Sequence, residues 1–183
     1  MRFEDIFVQI APEEIPDNVF ALVGKIFPVV TVGALGSHNS MVASGGGMGL
    51  LFRKPATWCV FPSKRYTLEL IEKEQTYTLS FSPDEYREQF MFLGRESGRD
   101  GNKMEEVELT AIETPLHNTS FEEARLIVEC SLMQITIPQV SDFYSEEAKK
   151  HLAEMYQDPG EIRKYVFGGI DAVWIDRGKY GNV

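Results

Sequence analysis

The chain has 183 residues, 43% of them hydrophobic, with 9 prolines and 15 glycines, which fits one folded domain over 1–183 and excludes a disordered or repetitive chain. Its net charge of −10 excludes the broad basic face that general nucleic-acid binding needs, while leaving room for a small anion on a local basic patch. Two cysteines without CxxC spacing and three scattered histidines give no metal-ligand set, and no apolar run approaches the roughly 20 residues of a membrane-spanning helix.

Residues 1–26 read as an N-terminal arm with no secretory leader pattern. Asp17 or Asn18 caps a short helix through Val19, Leu22 and Ile26. Residues 27–34 are rich in β-branched side chains and read as a strand; 41–44 form the next one. Gly45, Gly46, Gly47 and Gly49 lack dinucleotide-motif spacing and read as a mobile loop, with a cover over a ligand as the functional alternative.

Residues 56–61 are nearly all apolar, the mark of a buried strand. Leu68 and Ile71 share a face of a short helix whose N-cap is Thr67. A helix N-terminus beside Arg65 and Thr67 is a seat for a phosphate; plain capping is the alternative. Residues 76–81 alternate as a strand. Ser82 through Glu85 carries a capping box with Pro83 at the first helical position, opening a helix through Tyr86, Phe90 and Leu93 that ends at Gly94.

The next stretch packs Ser97, Gly98, Arg99, Gly101, Asn102 and Lys103 into one turn. Glycines let backbone N–H groups converge on an anion, and Ser, Arg and Lys add donors and positive charge; a solvated turn is the alternative. Residues 103–109 make one helical turn and 108–115 a loop or edge strand. Ser120 and Glu123 fit a capping box, but Leu126, Val128, Cys130 and Leu132 recur at period 2, so a strand is expected there, running on to Ile137. Ser145 opens a helix with Glu146 and Glu147 at its positive end and Ala148, Leu152, Met155 and Tyr156 on its apolar face. Residues 164–175 hold a last strand or two, kinked at Gly168 and Gly169.

Six or more short strands with a few helices between them indicate a mainly β chain with helical insertions, closed as one antiparallel barrel. There is no G-x-S-x-G elbow or H-E-x-x-H pair, and no catalytic side chain stands out. An enzyme built on this chain would rely on a bound cofactor. Cys59 and Cys130 sit in apolar runs and suit a reducing cytoplasm.

Taken in order, the segments resemble the flavin reductase-like family with an FMN-binding split β-barrel, which includes flavoredoxins. Asn39-Ser40-Met41-Val42-Ala43-Ser44 resembles its N-x-M-T-x-S segment. Pro55 to Phe61 resembles the strand that follows, and Arg65-Tyr66-Thr67 with Ile71 the R-[YF]-T-x-x-x-I turn and helix. Ser97 to Lys103 resembles the S-G-x-x-x-D-K loop, Glu129-Cys130 an E-C pair, and Gly168-Gly169-Ile170 the late G-E-V strand. The likeness covers roughly residues 27–180.

The resemblance implies an antiparallel Greek-key split β-barrel holding FMN without a covalent link, near the interface of a homodimer. Asn39, Met41 and Ser44, with Ser40 between them, would lie along the isoalloxazine. Phe61, Pro62 and Ser63 would line the ring and ribityl side. Arg65, Tyr66, Thr67, Ser97 and Lys103, with Gly98 in the same loop, would hold the phosphate. The implied activity is NAD(P)H-dependent flavin reduction. The alternatives are a flavoredoxin-like electron carrier served by a redox partner protein, and a split-barrel binding module that has lost its flavin. The chain departs from the family at Gly45, where an aromatic residue is usual, at Val42 for Thr and at Asn102 for Asp. A late histidine has no clear match; Arg163 or Lys164 stands nearby. These departures bear on substrate choice more than on FMN, though Gly45 and Val42 also suit the third reading.

Overall fold

The structure, a computed structural model, describes residues 2–95, 99, 103–159 and 161–180. Its strands are β1 (Phe7–Ile10), β2 (Val29–Val32), β3 (Asn39–Val42), β4 (Gly46–Leu51), β5 (Lys54–Pro62), β6 (Thr76–Phe81), β7 (Ala111–Glu113), β8 (Thr119–Phe121), β9 (Leu126–Thr136) and β10 (Arg163–Asp176). Between them lie the helices α1 (Phe3–Ile6), α2 (Val19–Ala21), α3 (Tyr66–Glu74), α4 (Arg87–Arg95) and α5 (Glu146–Met155). The main sheet is antiparallel, in the order β3-β2-β6-β9-β10-β5-β4, with β1 added on β10; β7 and β8 form a separate hairpin.

Neighbouring residues on the central strands serve opposite faces. Val30, Val128 and Val173 point into one core with Met41, Cys59, Phe61, Leu79 and Cys130. Val29, Ile127 and Trp174 face a second core with Phe3, Phe7, Phe90, Leu93 and Phe121. Burial on both faces explains why these strands read as continuous apolar runs rather than alternating ones. Each large side chain taken fully out of water contributes about 1.5–3 kcal/mol, so the aromatic second core fixes α4 firmly on β2 and β3.

Several local expectations change. The glycine run after Gly45 is strand β4, paired with β5, and the turn falls at Phe52 and Arg53. The indole of Trp58 lies across Gly47, where an added Cβ would come within 2.3 Å of the ring. Gly94 lies inside α4 rather than ending it; a Cβ there would sit 2.6 Å from Val42 Cβ, so the glycine lets the helix approach β3. Ser82 forms no side-chain cap; Pro83 precedes a tight turn, Asp84–Tyr86, that leads into α4. The N-terminal arm joins the sheet, with Phe7 opposite Asp176 and Ile10 opposite Val173. The last strand is a single strand with register shifts between Phe167 and Gly168 and between Ile170 and Ala172.

Asn18 caps α2, its Oδ1 accepting from the Phe20 and Ala21 amides at 2.9 and 3.3 Å. Ser145 caps α5 through the Ala148 amide at 3.3 Å. Two polar clusters tie the periphery down. Arg125 donates to both carboxylate oxygens of Asp17, at 2.8 and 3.1 Å, and lies over the Tyr180 ring, whose hydroxyl also donates to Asp17. Buried Glu129 accepts from Thr114 Oγ1 at 2.5 Å, Asn118 Nδ2 at 2.7 Å and Trp174 Nε1 at 2.7 Å, fastening the β7–β8 hairpin to β9 and β10.

Candidate functional site

A cavity of about 500 Å³ opens on the outer side of β3 and β5. Met41, Val42, Ser44 and Gly45 form one wall, and Val60 and Pro62 form the floor. The strand period sets this floor: Cys59 and Phe61 turn into the core, so Val60 and Pro62 turn out. The Gly45 carbonyl accepts from the Val60 amide at 3.0 Å and locks wall to floor. Arg65 stands at the rim, and His151 and Met155 of α5, with Glu161 and Arg163, close the far side.

The chain leaves β5 through a tight turn, the Arg65 amide donating to the Pro62 carbonyl at 3.2 Å, and enters α3. Ser63 holds the opposing segment, its amide donating to the Ile162 carbonyl at 2.8 Å and its hydroxyl to the Pro159 carbonyl at 3.2 Å. Arg65, not Thr67, occupies the N-cap, and it makes no side-chain cap. The Thr67 hydroxyl instead accepts from Asn39 Nδ2 at 2.7 Å, joining β3 to the first turn of α3. The first amides of that helix have no intrahelical acceptor and carry its positive end. The Arg65 guanidinium has no partner among the described residues.

Arg99 reaches the same place. Its guanidinium donates to the Lys64 carbonyl at 2.9 Å, pairs with Glu69 and lies 5.3 Å from the Tyr66 ring centroid. Arg99 and the start of α3, far apart in sequence, therefore meet beside Arg65 at the rim. Ser97 and Gly98 lie outside the described residues, as does the Lys103 side chain; the Lys103 backbone opens a tight turn, Lys103–Glu106.

Of the residues expected at the site, Met41, Ser44, Pro62 and Arg65 line the cavity. Asn39, Ser63, Tyr66 and Thr67 brace its edge. Phe61 lies in the barrel core, and Ser40 Oγ is buried 2.8 Å from Thr31 Oγ1; neither lines the cavity. The sequence reading did not single out Val60, His151, Met155 or Glu161 as lining residues. For His151 the available signal was its spacing, three residues after Ala148 and four before Met155 on the apolar stripe of α5. Arg163, noted only as a neighbour of a missing histidine, is in the lining, paired with Glu161 at 2.7 Å and donating Nε to Met155 Sδ at 3.1 Å.

The thiols lie elsewhere. Cys59 and Cys130 are free and buried inside the barrel. Burial pushes the Cys130 thiol up to about 12 and raises Cys59 as well, so neither is a ready nucleophile.

The model of the flavin reductase-like domain matches residues 27–179, and the chain belongs to that family. No curated protein sequence matches it. Among solved structures, an FMN-binding protein from Thermus thermophilus with bound p-hydroxybenzaldehyde is 21% identical, with TM-score 0.65 over 94% of this chain and 83% of that one. An FMN-binding domain of a flavin reductases-like enzyme from Shewanella baltica is 16% identical, with TM-score 0.65 over 93% and 77%. The flavoredoxin of Desulfovibrio vulgaris is 16% identical, with TM-score 0.63 over 92% and 78%. The fold is the split barrel that these proteins share.

Proposed function

We propose that this chain holds FMN non-covalently in the cavity beside β3, β5 and α5, and acts as a flavin reductase-type oxidoreductase with NAD(P)H as reductant. The observation that carries the reading is the meeting of Arg65, the first turn of α3 and Arg99 at one edge of the cavity. In a chain of net charge −10, that edge gathers the Arg65 guanidinium, the first amides of α3 and Arg99, which is itself paired with Glu69, a donor set that suits a phosphate dianion. The volume lies within the roughly 300–1,000 Å³ of small-molecule sites.

In this arrangement Arg65, the Tyr66 and Thr67 amides and Lys103 hold the phosphate. Met41, Val60 and Pro62 offer apolar surface to the ring, and Ser44 offers a hydroxyl. Asn39 keeps Thr67 and the start of α3 in register with β3. Val42 and Gly45 leave their side of the ring without a donor or an aromatic cover. FMN, when bound, supplies hydride and electron transfer through its ring; the protein's part is to position and exclude water.

A homodimer is the proposed assembly. The β4–β5 hairpin carries Leu50, 78% exposed, and Phe52, 74% exposed, beside a partly exposed Trp58, a patch more apolar than isolated surface residues. A second copy seated there would cover this face. The two buried free thiols favour the cytoplasm, and no helix among the described residues is long and apolar enough to cross a membrane.

The test is anaerobic mixing of FMN-loaded protein with NADH or NADPH. Bleaching of the flavin by either supports the reductase; a bound flavin that only a partner reductase can bleach assigns an electron carrier instead.

A further inference from the structure

Residues 137–162 connect β9 to β10, antiparallel neighbours that a hairpin of about two to five residues would join. The insertion is anchored, not loose. Leu152 is buried, and the Tyr156 hydroxyl donates to the Pro138 carbonyl at 3.1 Å. Arg163 Nε reaches Met155 Sδ at 3.1 Å. These contacts hold α5 against the cavity and place His151, solvent-exposed and one turn before Met155, in its lining.

The basic side chains of the lining have different commitments. Arg65 belongs to the phosphate edge. Arg163 is engaged with Glu161, the one carboxylate among the described lining residues, at 2.7 Å. The His151 imidazole has no partner among the described residues. It is a donor facing a space with no free counter-charge among the described lining residues.

We infer that His151 is a specificity-determining residue, donating an imidazole N–H to an oxyanion, a carboxylate in particular, on the second substrate that enters between α5 and the flavin. The inference rests on the FMN reading above. Met155 supplies apolar surface for the body of the substrate.

The test is a visible-spectrum titration of FMN-loaded protein with benzoate and with benzamide, probes of nearly equal size that differ in charge. Wild type is expected to bind benzoate more tightly. His151→Ala should weaken benzoate about tenfold, the loss of one hydrogen bond to a charged group, while leaving benzamide and FMN affinity within about twofold. His151→Gln, which keeps a donor, should recover part of the loss. Equal binding of both probes by wild type overturns the inference, as does an equal fall for both probes in His151→Ala, which would mark His151 as packing. Failure of wild type to take up FMN overturns the functional reading itself and is seen before either probe is added.

Discussion

The Asn39 side-chain amide donates to Thr67 Oγ1 at 2.7 Å and links strand β3 to the first turn of α3 across 28 positions of sequence. One end of this bond borders the cavity wall and the other the free amides of a helix N-terminus. With the Thr67 oxygen engaged as acceptor, its own proton is left to point elsewhere. The bond is buried, so its loss strands a polar group on each side.

Asn39→Ala is expected to weaken FMN binding about five- to tenfold and to destabilise the flavin-free protein by about 1–2 kcal/mol. Fluorescence titration with FMN and urea denaturation of the flavin-free protein measure the two effects. Unchanged FMN affinity would remove this bond from the account of the site.

Arg65→Ala tests the phosphate edge separately from the ring. FMN affinity should fall by about 1.5–3 kcal/mol, as for a hydrogen bond to a charged group, while riboflavin, which lacks the phosphate, should bind wild type and variant alike. Lys103→Ala should behave in the same way. An equal loss for both flavins would mean that these residues act on fold, not on phosphate.

Glu129 is a stability residue. Its buried carboxylate satisfies Thr114, Asn118 and Trp174 together, so Glu129→Ala orphans three donors and leaves a cavity. A loss of about 3 kcal/mol or more is expected in urea unfolding. Trp174 fluorescence should report the loosened contact at the same denaturant concentration as the global transition.

His38 gives stability a dependence on pH. Both ring nitrogens are buried without a partner among the described residues, and burial holds the imidazole below its ordinary value of 6.5. The folded state favours the neutral ring, so the unfolded chain binds more protons in the window below 6.5. Stability is complete above that value and is lost as pH falls through the lower folded-state value. Thermal unfolding from pH 8 to 5 should show this decline, and His38→Phe should flatten it; the same decline in both proteins would assign it to other groups.

The strand framework was legible in the sequence because β2, β5, β9 and β10 are buried on both faces or nearly so, and such strands stand out as apolar runs. The same feature hid their parity. A continuous run does not tell which residue points outward, so Phe61 was assigned to the ring beside Pro62, while the cavity is lined by Pro62 and by Val60, which was not singled out. Ser40 stands apart from the cavity lining, its hydroxyl buried 2.8 Å from Thr31 Oγ1, a cross-strand contact that nothing local in the sequence announces. The run from Gly45 to Gly49 looked like a loop because nothing local reveals that Trp58 needs a side-chain-free strand to lie on. His151 was invisible as a site residue because its approach to β3 and β5 is set by the anchoring of α5, a tertiary relationship. Arg99 does meet the start of α3, at the Lys64 carbonyl and the Tyr66 ring, two stretches whose residue chemistry suggested a common anion.

The most direct test is the visible absorption spectrum of the freshly purified protein, followed by titration of flavin-free protein with FMN. The account predicts flavin absorption that persists through gel filtration, or saturable uptake of one FMN per chain by colourless protein, lost first in Arg65→Ala. Colourless protein that takes up no added FMN would contradict it and leave a split barrel without its flavin.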